Sequence, residues 1–212
     1  MRVLAINGSP RAAGNTRHAL DLVGAELGAA GIDTEVVQVG HLHLRGCTAC
    51  GRCAQNRDER CALPDDGLNA LVAQMKAADG LVLGSPVYFA GIAGTMKCFL
   101  DRAFYVAGAN GGLFRHKVGA ALVALRRSGA VTTFDQLNHY LHIAEMLVPS
   151  SNYWNGVHGA KPGESAGDAE GVQVMRLLGR NLAWLLRMRA AAAGAGVAPP
   201  AAEPKVRTNF IR

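Results

Sequence analysis

The 212-residue sequence is poor in charged and aromatic side chains, which make up 18% and 6% of its residues. No apolar run approaches the roughly 20 residues that span a bilayer. Met1 and Arg2 lead directly into an apolar stretch that is too short for a secretory signal. Half of the residues are nevertheless hydrophobic, so the chain can bury a core. We therefore expect a cytoplasmic globular protein that does not associate with a membrane.

The net charge is +6 and the pI is about 9.3, but the basic residues do not form a stripe on any predicted helix. Few aromatic residues lie among them, and this scatter argues against a nucleic-acid partner. A modest positive field also attracts anionic small molecules, including phosphorylated nucleotides. The charge balance therefore favours a small anionic ligand.

Several common catalytic and nucleotide-binding motifs are missing. A triphosphate loop would read G-x-x-x-x-G-K-[ST], but Gly8 and Gly14 are one residue too far apart for it, and Asn15 replaces the lysine. The dinucleotide motif G-x-G-x-x-G is absent as well. Because there is also no Ser/His/Asp triad or carboxylate pair, no side-chain acid or base is expected to carry the chemistry.

Short apolar segments alternate with segments of helical periodicity along most of the chain. The alternation predicts an α/β fold, a flavodoxin-like three-layer sandwich with helices on both faces of a five-stranded parallel sheet of order 2-1-3-4-5. The predicted strands are residues 2–6, 34–39, 80–84, 117–125 and 146–148.

The C-terminal end differs in composition from the rest of the chain. Residues 190–204 are rich in alanine, glycine and proline and can bury little surface. We therefore predict a domain at 1–189, with a cysteine-rich insertion at 47–61, and a flexible arm at 190–212. The last six residues of the arm include Phe210 and Ile211, which favours docking on the domain or on a neighbouring subunit.

The segment after the first predicted strand has the composition of an anion-binding loop. It leads into the first helix, where unpaired backbone N–H groups carry the positive end of the helix dipole. Gly8 and Gly14 let the backbone approach a ligand closely. Without the lysine of a triphosphate loop, this segment suits a single phosphate monoester; the alternative is an ordinary turn rich in capping residues. The candidate donors to phosphate are Ser9, Arg11, Asn15 and Thr16.

Two further loops are expected at the same sheet edge. Ligands of open parallel sheets lie where the strand order reverses, and a 2-1-3-4-5 sheet holds FMN there. Aromatic residues after the third strand can lie against a flat ring, and an arginine after the fourth can balance the charge of a reduced flavin. Each loop by itself also fits an exposed turn. The candidate residues are Pro86, Val87, Tyr88, Phe89, Arg127, Ser128 and Gly129.

Four of the five cysteines form the pattern C-x₂-C-x₂-C-x₇-C, with members Cys47, Cys50, Cys53 and Cys61. Thiolates two residues apart can surround one centre, and three in such a series occur in bacterial ferredoxins. Zinc sites more often separate two C-x₂-C pairs by a longer spacer. The spacing leaves three assignments open: a [4Fe–4S] cluster, a zinc ion and a set of free thiols.

Three motifs resemble the NADPH-dependent FMN reductase family: G-S-P-R and G-N-T within residues 8–16, G-S-P-V-Y-F at 84–89, and K-C-F-L-D-R at 97–102. The cysteine segment resembles the iron–sulfur flavoprotein branch of that family, although the final spacing there is usually shorter. The resemblance implies that Ser9, Arg11, Asn15 and Thr16 hold the FMN phosphate. It also implies that residues 86–89 line the isoalloxazine ring, with 127–129 nearby.

The resemblance further implies an FMN-dependent oxidoreductase that takes electrons from NAD(P)H and reduces a small acceptor such as a quinone or another flavin. A [4Fe–4S] cluster would exchange single electrons with the FMN. The rival hypotheses are an electron carrier without substrate turnover and a phosphate-binding module without flavin. Members of the family form dimers or tetramers with flavins at subunit interfaces. This implies a homodimer or homotetramer in which residues 153–155 and the arm contact a neighbour.

Overall fold

The computed structural model describes residues 1–210, in which five parallel strands form one central sheet. Their order, β2-β1-β3-β5-β6, is the predicted 2-1-3-4-5 order, and a short additional strand, β4, pairs antiparallel with the end of β3. The predicted fold class is therefore confirmed. The strands are β1 (Arg2–Asn7), β2 (Asp33–Gln38), β3 (Gly80–Tyr88), β4 (Gly91–Ile92), β5 (Val118–Leu125) and β6 (Gly156–His158).

Helices cover both faces of the sheet because successive side chains of each strand point to opposite sides. On β1, Val3 and Ala5 pack into a core with α1 and α6, whereas Leu4 and Ile6 pack into a core with α3, α4 and α5. The short helix α2 lies beside α4. The helices are α1 (Asn15–Ala29), α2 (Arg52–Asn56), α3 (Leu68–Ala77), α4 (Gly94–Ala109), α5 (Ala130–Ile143) and α6 (Ala169–Gly194).

The fifth predicted strand is wrong in position. Leu147 makes one isolated parallel bridge to Val118, and the strand that fills the fifth place is Gly156–His158. Pro149 explains the interruption, because proline has no N–H to donate to a strand ladder. The buried side chain of Asn155 donates to the carbonyl of Ala121 at 2.9 Å just before the chain rejoins the sheet.

The last helix runs five residues beyond the predicted boundary at 189 and ends at Gly194, so the arm is shorter than predicted. Residues 198–210 are exposed, and the Arg115 guanidinium holds the arm through the carbonyls of Pro200 and Ala201, both at 3.1 Å. The predicted docking of residues 207–212 includes Ile211 and Arg212, which lie outside the described residues. No helix within residues 1–210 is long and apolar enough to cross a membrane.

A glycine sets how closely α6 approaches α1. A Cβ atom at Gly179 would lie 2.8 Å from Cβ of Glu26 and 2.9 Å from the backbone oxygen of Val23. Around this contact, Arg176 and Arg180 each form a 2.9 Å ion pair with Glu26. A side chain at residue 179 would therefore force the two helices apart.

We expect Gly179→Ala to lower the free energy of unfolding by about 1–3 kcal/mol, because an added methyl group overpacks the contact between the helices. The matched control is Gly28→Ala on α1, where an added Cβ meets no atom within 4 Å. That change should raise stability by about 0.5–1 kcal/mol through helix propensity alone. Urea denaturation measures both, and a stabilised Gly179→Ala protein would contradict this account of the contact.

Candidate functional site

The loop that joins β1 to α1 folds back on itself at the carboxyl edge of the sheet. Oδ1 of Asn7 accepts the N–H of Ser9, and Oγ of Ser9 accepts the N–H of Arg11, both at 3.1 Å. Helix α1 begins after Gly14, and no side chain caps its first turn. The N–H groups of that turn are therefore available to an anion.

Two glycines keep this loop open. A Cβ atom at Gly8 would lie 2.6 Å from Cγ of Met96, and one at Gly40 would lie 2.2 Å from the backbone carbonyl group of Ser9. Gly40 was missed from the sequence, although it follows the second predicted strand as Gly8 follows the first. The loop can hold its shape only while residue 40 lacks a side chain.

Three of the four predicted phosphate donors are free to face a ligand. Ser9 and Thr16 are buried, and no hydrogen bond joins the Thr16 hydroxyl to another of residues 1–210. Arg11 is exposed, and its guanidinium makes one long contact, 3.5 Å, with the carbonyl of Ala160. These side chains can reorient toward an anion at little cost in existing bonds.

The fourth predicted donor, Asn15, is occupied elsewhere. Its Nδ2 donates to the carbonyl of Lys161 at 3.0 Å, and its Oδ1 accepts the N–H of Gly163 and the hydroxyl of Ser165, both at 3.1 Å. Asn15 thus fastens the loop after β6 to the start of α1. The sequence shows no local signal for this contact, because its partners lie about 150 residues away.

Asp168 fixes the other end of the β6–α6 connection. Its carboxylate accepts the N–H of His158 at 2.7 Å and caps α6 through the N–H of Gly171 at 3.0 Å. Burial raises the pKa of Asp168, but these two N–H groups and the side chain of His158 together bring the pKa below its ordinary value of 3.8. The charged carboxylate therefore stabilises the loop that contacts Asn15.

The segment predicted as a loop after β3 is instead a hairpin. Pro86 and Val87 are half-buried on β3, Tyr88 is 47% exposed, and Phe89 at the tip is fully exposed. Phe89 and Ala90 have φ of 50° and 56°, as the two central residues of a type I′ turn require. For each residue other than glycine, this conformation costs about 1–2 kcal/mol of conformational free energy. The turn holds an aromatic ring in solvent at this cost.

The loop after β5 lies against the hairpin. Gly129, with φ of 88°, immediately precedes α5, and a Cβ atom there would lie 2.9 Å from Cα of Ala90. The Thr132 hydroxyl donates to the carbonyl of Ala90 at 2.9 Å. Arg127 and Ser128 are exposed beside this contact. The structure thus brings two of the predicted ligand loops together, and both follow carboxyl ends of neighbouring strands.

The four predicted cysteine ligands line a single cleft between the cysteine segment and α4, together with Arg102 and other residues. Cys47 and Cys50 are exposed, Cys53 is buried and Cys61 is half-buried. Within residues 1–210, no three side chains of His, Cys, Asp or Glu converge as a group that could hold a metal ion. The thiols therefore share one cleft without meeting at one point.

The environments of the thiols differ. The backbone N–H of Arg52 lowers the pKa of Cys50, which is fully exposed. Burial, followed by the neighbouring Cys61 and Cys50, raises the pKa of Cys53. The backbone N–H of Ala49 also points at Sγ of Cys47, at 3.4 Å. Backbone donors to sulfur of this kind stabilise thiolates that bind metal centres.

Residues 153–155 take no part in the contact between the hairpin and the loop after β5. Tyr153 and Trp154 are exposed and stack edge to face, with ring centroids 4.6 Å apart. Asn155 is buried and holds the sheet, as described above. The predicted contact of these residues with a neighbouring subunit stays a prediction.

Comparison with known proteins shows which family this sequence resembles. The model of the family described as NADPH-dependent FMN reductase matches residues 1–161. An iron–sulfur flavoprotein from Methanocaldococcus jannaschii is 34% identical over 199 residues, which cover 89% of this chain and 98% of that protein. The similarity to this relative thus extends beyond the sheet edge and across the cysteine segment.

Two solved structures share the fold. RosB with bound 8-demethyl-8-formylriboflavin-5′-phosphate superposes with a TM-score of 0.71 at 19% identity, covering 100% of this chain and 93% of RosB. A flavodoxin, a WrbA-like protein from Agrobacterium tumefaciens, gives 0.59 at 17% identity, covering 88% and 97%. At these identities the likeness concerns the flavodoxin-like fold alone.

We expect Asp168→Ala to cost about 1 kcal/mol of stability near neutral pH, through loss of the helix cap. Because the pKa of Asp168 is lower in the folded state, its charged carboxylate stabilises the fold at pH values above the unfolded-state pKa. This contribution disappears as the pH falls through the folded-state pKa. The penalty should therefore shrink below about pH 4. Urea midpoints across this range measure it, with the exposed Glu203→Ala as the control. A penalty that stays constant down to about pH 2 would show that the carboxylate charge is not responsible.

Proposed function

Since this chain belongs to the NADPH-dependent FMN reductase family and is an FMN-dependent oxidoreductase, we propose that it takes electrons from NAD(P)H and passes them to a small acceptor such as a quinone or a free flavin. The observation that carries the proposal is the uncapped start of α1, flanked by free donors and by an exposed aromatic hairpin at one sheet edge. FMN, when bound, supplies the hydride and single-electron chemistry. The residues of the chain bind and orient it.

In this proposal the FMN phosphate lies over the first turn of α1. Backbone N–H groups of the first turn of α1 and the hydroxyls of Ser9 and Thr16 donate to it, and Arg11 adds a positive charge. Asn15 contributes its backbone N–H, while its side chain keeps the loop after β6 in place. This division of roles follows from the hydrogen bonds that Asn15 already makes.

The ring of the flavin would extend from the phosphate toward the hairpin. Tyr88 and Phe89 offer aromatic faces there, and exposed aromatic rings of this kind gain contact area when a flat ligand binds. Arg127, which is exposed after β5, would balance negative charge on the reduced cofactor. The strained turn at Phe89 and Ala90 supports a binding role, because such strain is concentrated at functional sites.

We propose that Cys47, Cys50, Cys53 and Cys61 hold a [4Fe–4S] cluster that exchanges single electrons with the flavin. Their shared cleft and the N–H donors to their sulfurs support this donor set. A cluster attaches each thiolate to a different iron, so it holds the sulfurs farther apart than one tetrahedral zinc ion does. The C-x₂-C-x₂-C series formed by Cys47, Cys50 and Cys53 therefore favours a cluster, since zinc sites more often separate two C-x₂-C pairs by a longer spacer.

The second candidate is an electron carrier that serves a protein partner and has no turnover of its own. Electron carriers that dock on basic partners usually present an acidic surface, whereas this chain has a net charge of +6. A positive field instead attracts NAD(P)H and anionic acceptors. The charge therefore favours the reductase.

We expect Arg11→Ala and Thr16→Val each to weaken FMN binding by about 10- to 100-fold, the cost of one hydrogen bond to a charged group. Fluorescence quenching during FMN titration measures the affinity. The matched control is Arg17→Ala, which removes an equal charge from an exposed residue that pairs with Asp21. Unchanged affinity in both test variants would remove the phosphate assignment.

Protein purified without oxygen should show flavin and iron–sulfur absorption, contain about four irons per chain, and oxidise NADPH or NADH continuously when a quinone or free FMN is present. Cys61→Ser should lose the iron and keep the FMN, because the cleft and the phosphate loop are separate. A yellow protein without iron contradicts the cluster. Reduction of the bound flavin without continuous turnover indicates an electron carrier.

A further inference from the structure

Arg102 is the largest fully buried side chain of the described residues, and its contacts lead to the cysteine cleft. Both terminal nitrogens of its guanidinium bind the carboxylate of Asp66, and one of them also donates to the carbonyl of Arg45 at 3.2 Å. The remaining donor, Nε, points at Sγ of Cys61 at 3.4 Å. A buried charge is costly unless all of its donors are used, so this guanidinium has one favoured orientation.

The backbone of Cys61 is held as firmly as its sulfur. Its N–H donates to Oδ1 of Asn69 at 2.8 Å, and its carbonyl accepts Nδ2 of Asn69 at 3.1 Å. Helix α3 thus fixes the main chain of Cys61, and helix α4 fixes the thiol through Arg102. Cys47 and Cys50, by contrast, are exposed.

We infer that Arg102 is a positioning residue that orients the Cys61 thiolate before any metal binds and places one positive charge beside the resulting centre. The inference rests on the proposed iron–sulfur site and assigns a role to a residue outside the cysteine motif. Cys61 follows the longest spacer of that motif, seven residues, so it is the ligand that most needs an external anchor.

The charge has a consequence that a packing role would not have. A positive charge and an N–H donor close to a cluster favour its reduced form, which carries one more negative charge. Asp66 partly cancels the charge of Arg102. Removing Arg102 should therefore lower the midpoint potential of the cluster, and neutralising Asp66 should raise it. The two substitutions in this ion pair are thus expected to shift the midpoint potential in opposite directions.

The experiment uses the full chain with Arg102→Gln, Arg102→Lys and Asp66→Asn. The matched control is Arg60→Gln, which removes the same charge from an exposed side chain next to Cys61. Cobalt(II) titration of the reduced, iron-free protein measures thiolate positioning through its charge-transfer absorption. Redox titration of the reconstituted protein measures the potential, and bound FMN reports folding.

We expect Arg102→Gln to weaken cobalt binding by about 10- to 100-fold, as loss of an outer partner of a metal ligand usually does. Its cluster potential should fall, that of Asp66→Asn should rise, and Arg60→Gln should match the wild type in both measurements. Arg102→Lys keeps the charge and loses the forked geometry, so its cobalt affinity should fall while its potential stays closer to that of the wild type. If Arg102→Gln does not fold, Arg102→Lys and Asp66→Asn still give both readouts.

If Arg102→Gln and Arg60→Gln have the same cobalt affinity and the same cluster potential, the inference is overturned, whereas the proposed iron–sulfur site is not. Shifts of the potential in the same direction for Arg102→Gln and Asp66→Asn would also overturn it, since they indicate a packing role. A wild-type chain that binds neither cobalt through thiolates nor iron would overturn both this inference and the proposed cluster. It would leave the FMN site to be judged by the Arg11 and Thr16 variants.

Discussion

Asn7, fully buried at the end of β1, joins three segments of the proposed phosphate site. Its carbonyl accepts the N–H groups of Val39 and Gly40, its Nδ2 donates to Gln38, and its Oδ1 accepts the N–H of Ser9. Each buried polar group left without a partner would cost about 1–3 kcal/mol. The end of β1 therefore fixes both the course of the phosphate loop and the close passage of the segment after β2, independently of any ligand.

Helix α4 connects the two parts of the proposed redox machinery. Its start follows the hairpin, whose Ser85 hydroxyl accepts the N–H of Ala93, and Met96 in its first turn packs beneath Gly8. Two turns later Arg102 faces the cysteine cleft. At about 1.5 Å per residue, the eight residues from Gly94 to Arg102 span about 12 Å. One helix thus connects the proposed flavin site to the cysteine cleft, which suits the proposed exchange of electrons between the two sites.

Local sequence patterns predicted the fold well. They failed where one pattern is compatible with two different local structures. The apolar run at 146–148 has the composition of a buried strand, but Pro149 ends its pairing, and the chain reaches the fifth strand position only at Gly156. Residues 85–89 were predicted as a loop after a strand at 80–84, whereas β3 continues to Tyr88 and turns back into β4. The turn at Phe89 instead adopts positive φ without glycine, so its sequence gives no hairpin signal.

The sequence by itself determined the order of strands and helices, the anion-binding composition of residues 8–16 and the four-cysteine motif, because periodicity, helix-start chemistry and ligand spacing are local properties. Only the tertiary structure decided which side chains those segments meet. Asn15 binds the carbonyl of Lys161, which is 146 residues away, and Arg102 binds Cys61 across 41 residues. Such partners are chosen by the packing of helices on the sheet, and packing brings together residues whose separation along the chain leaves no pattern to detect.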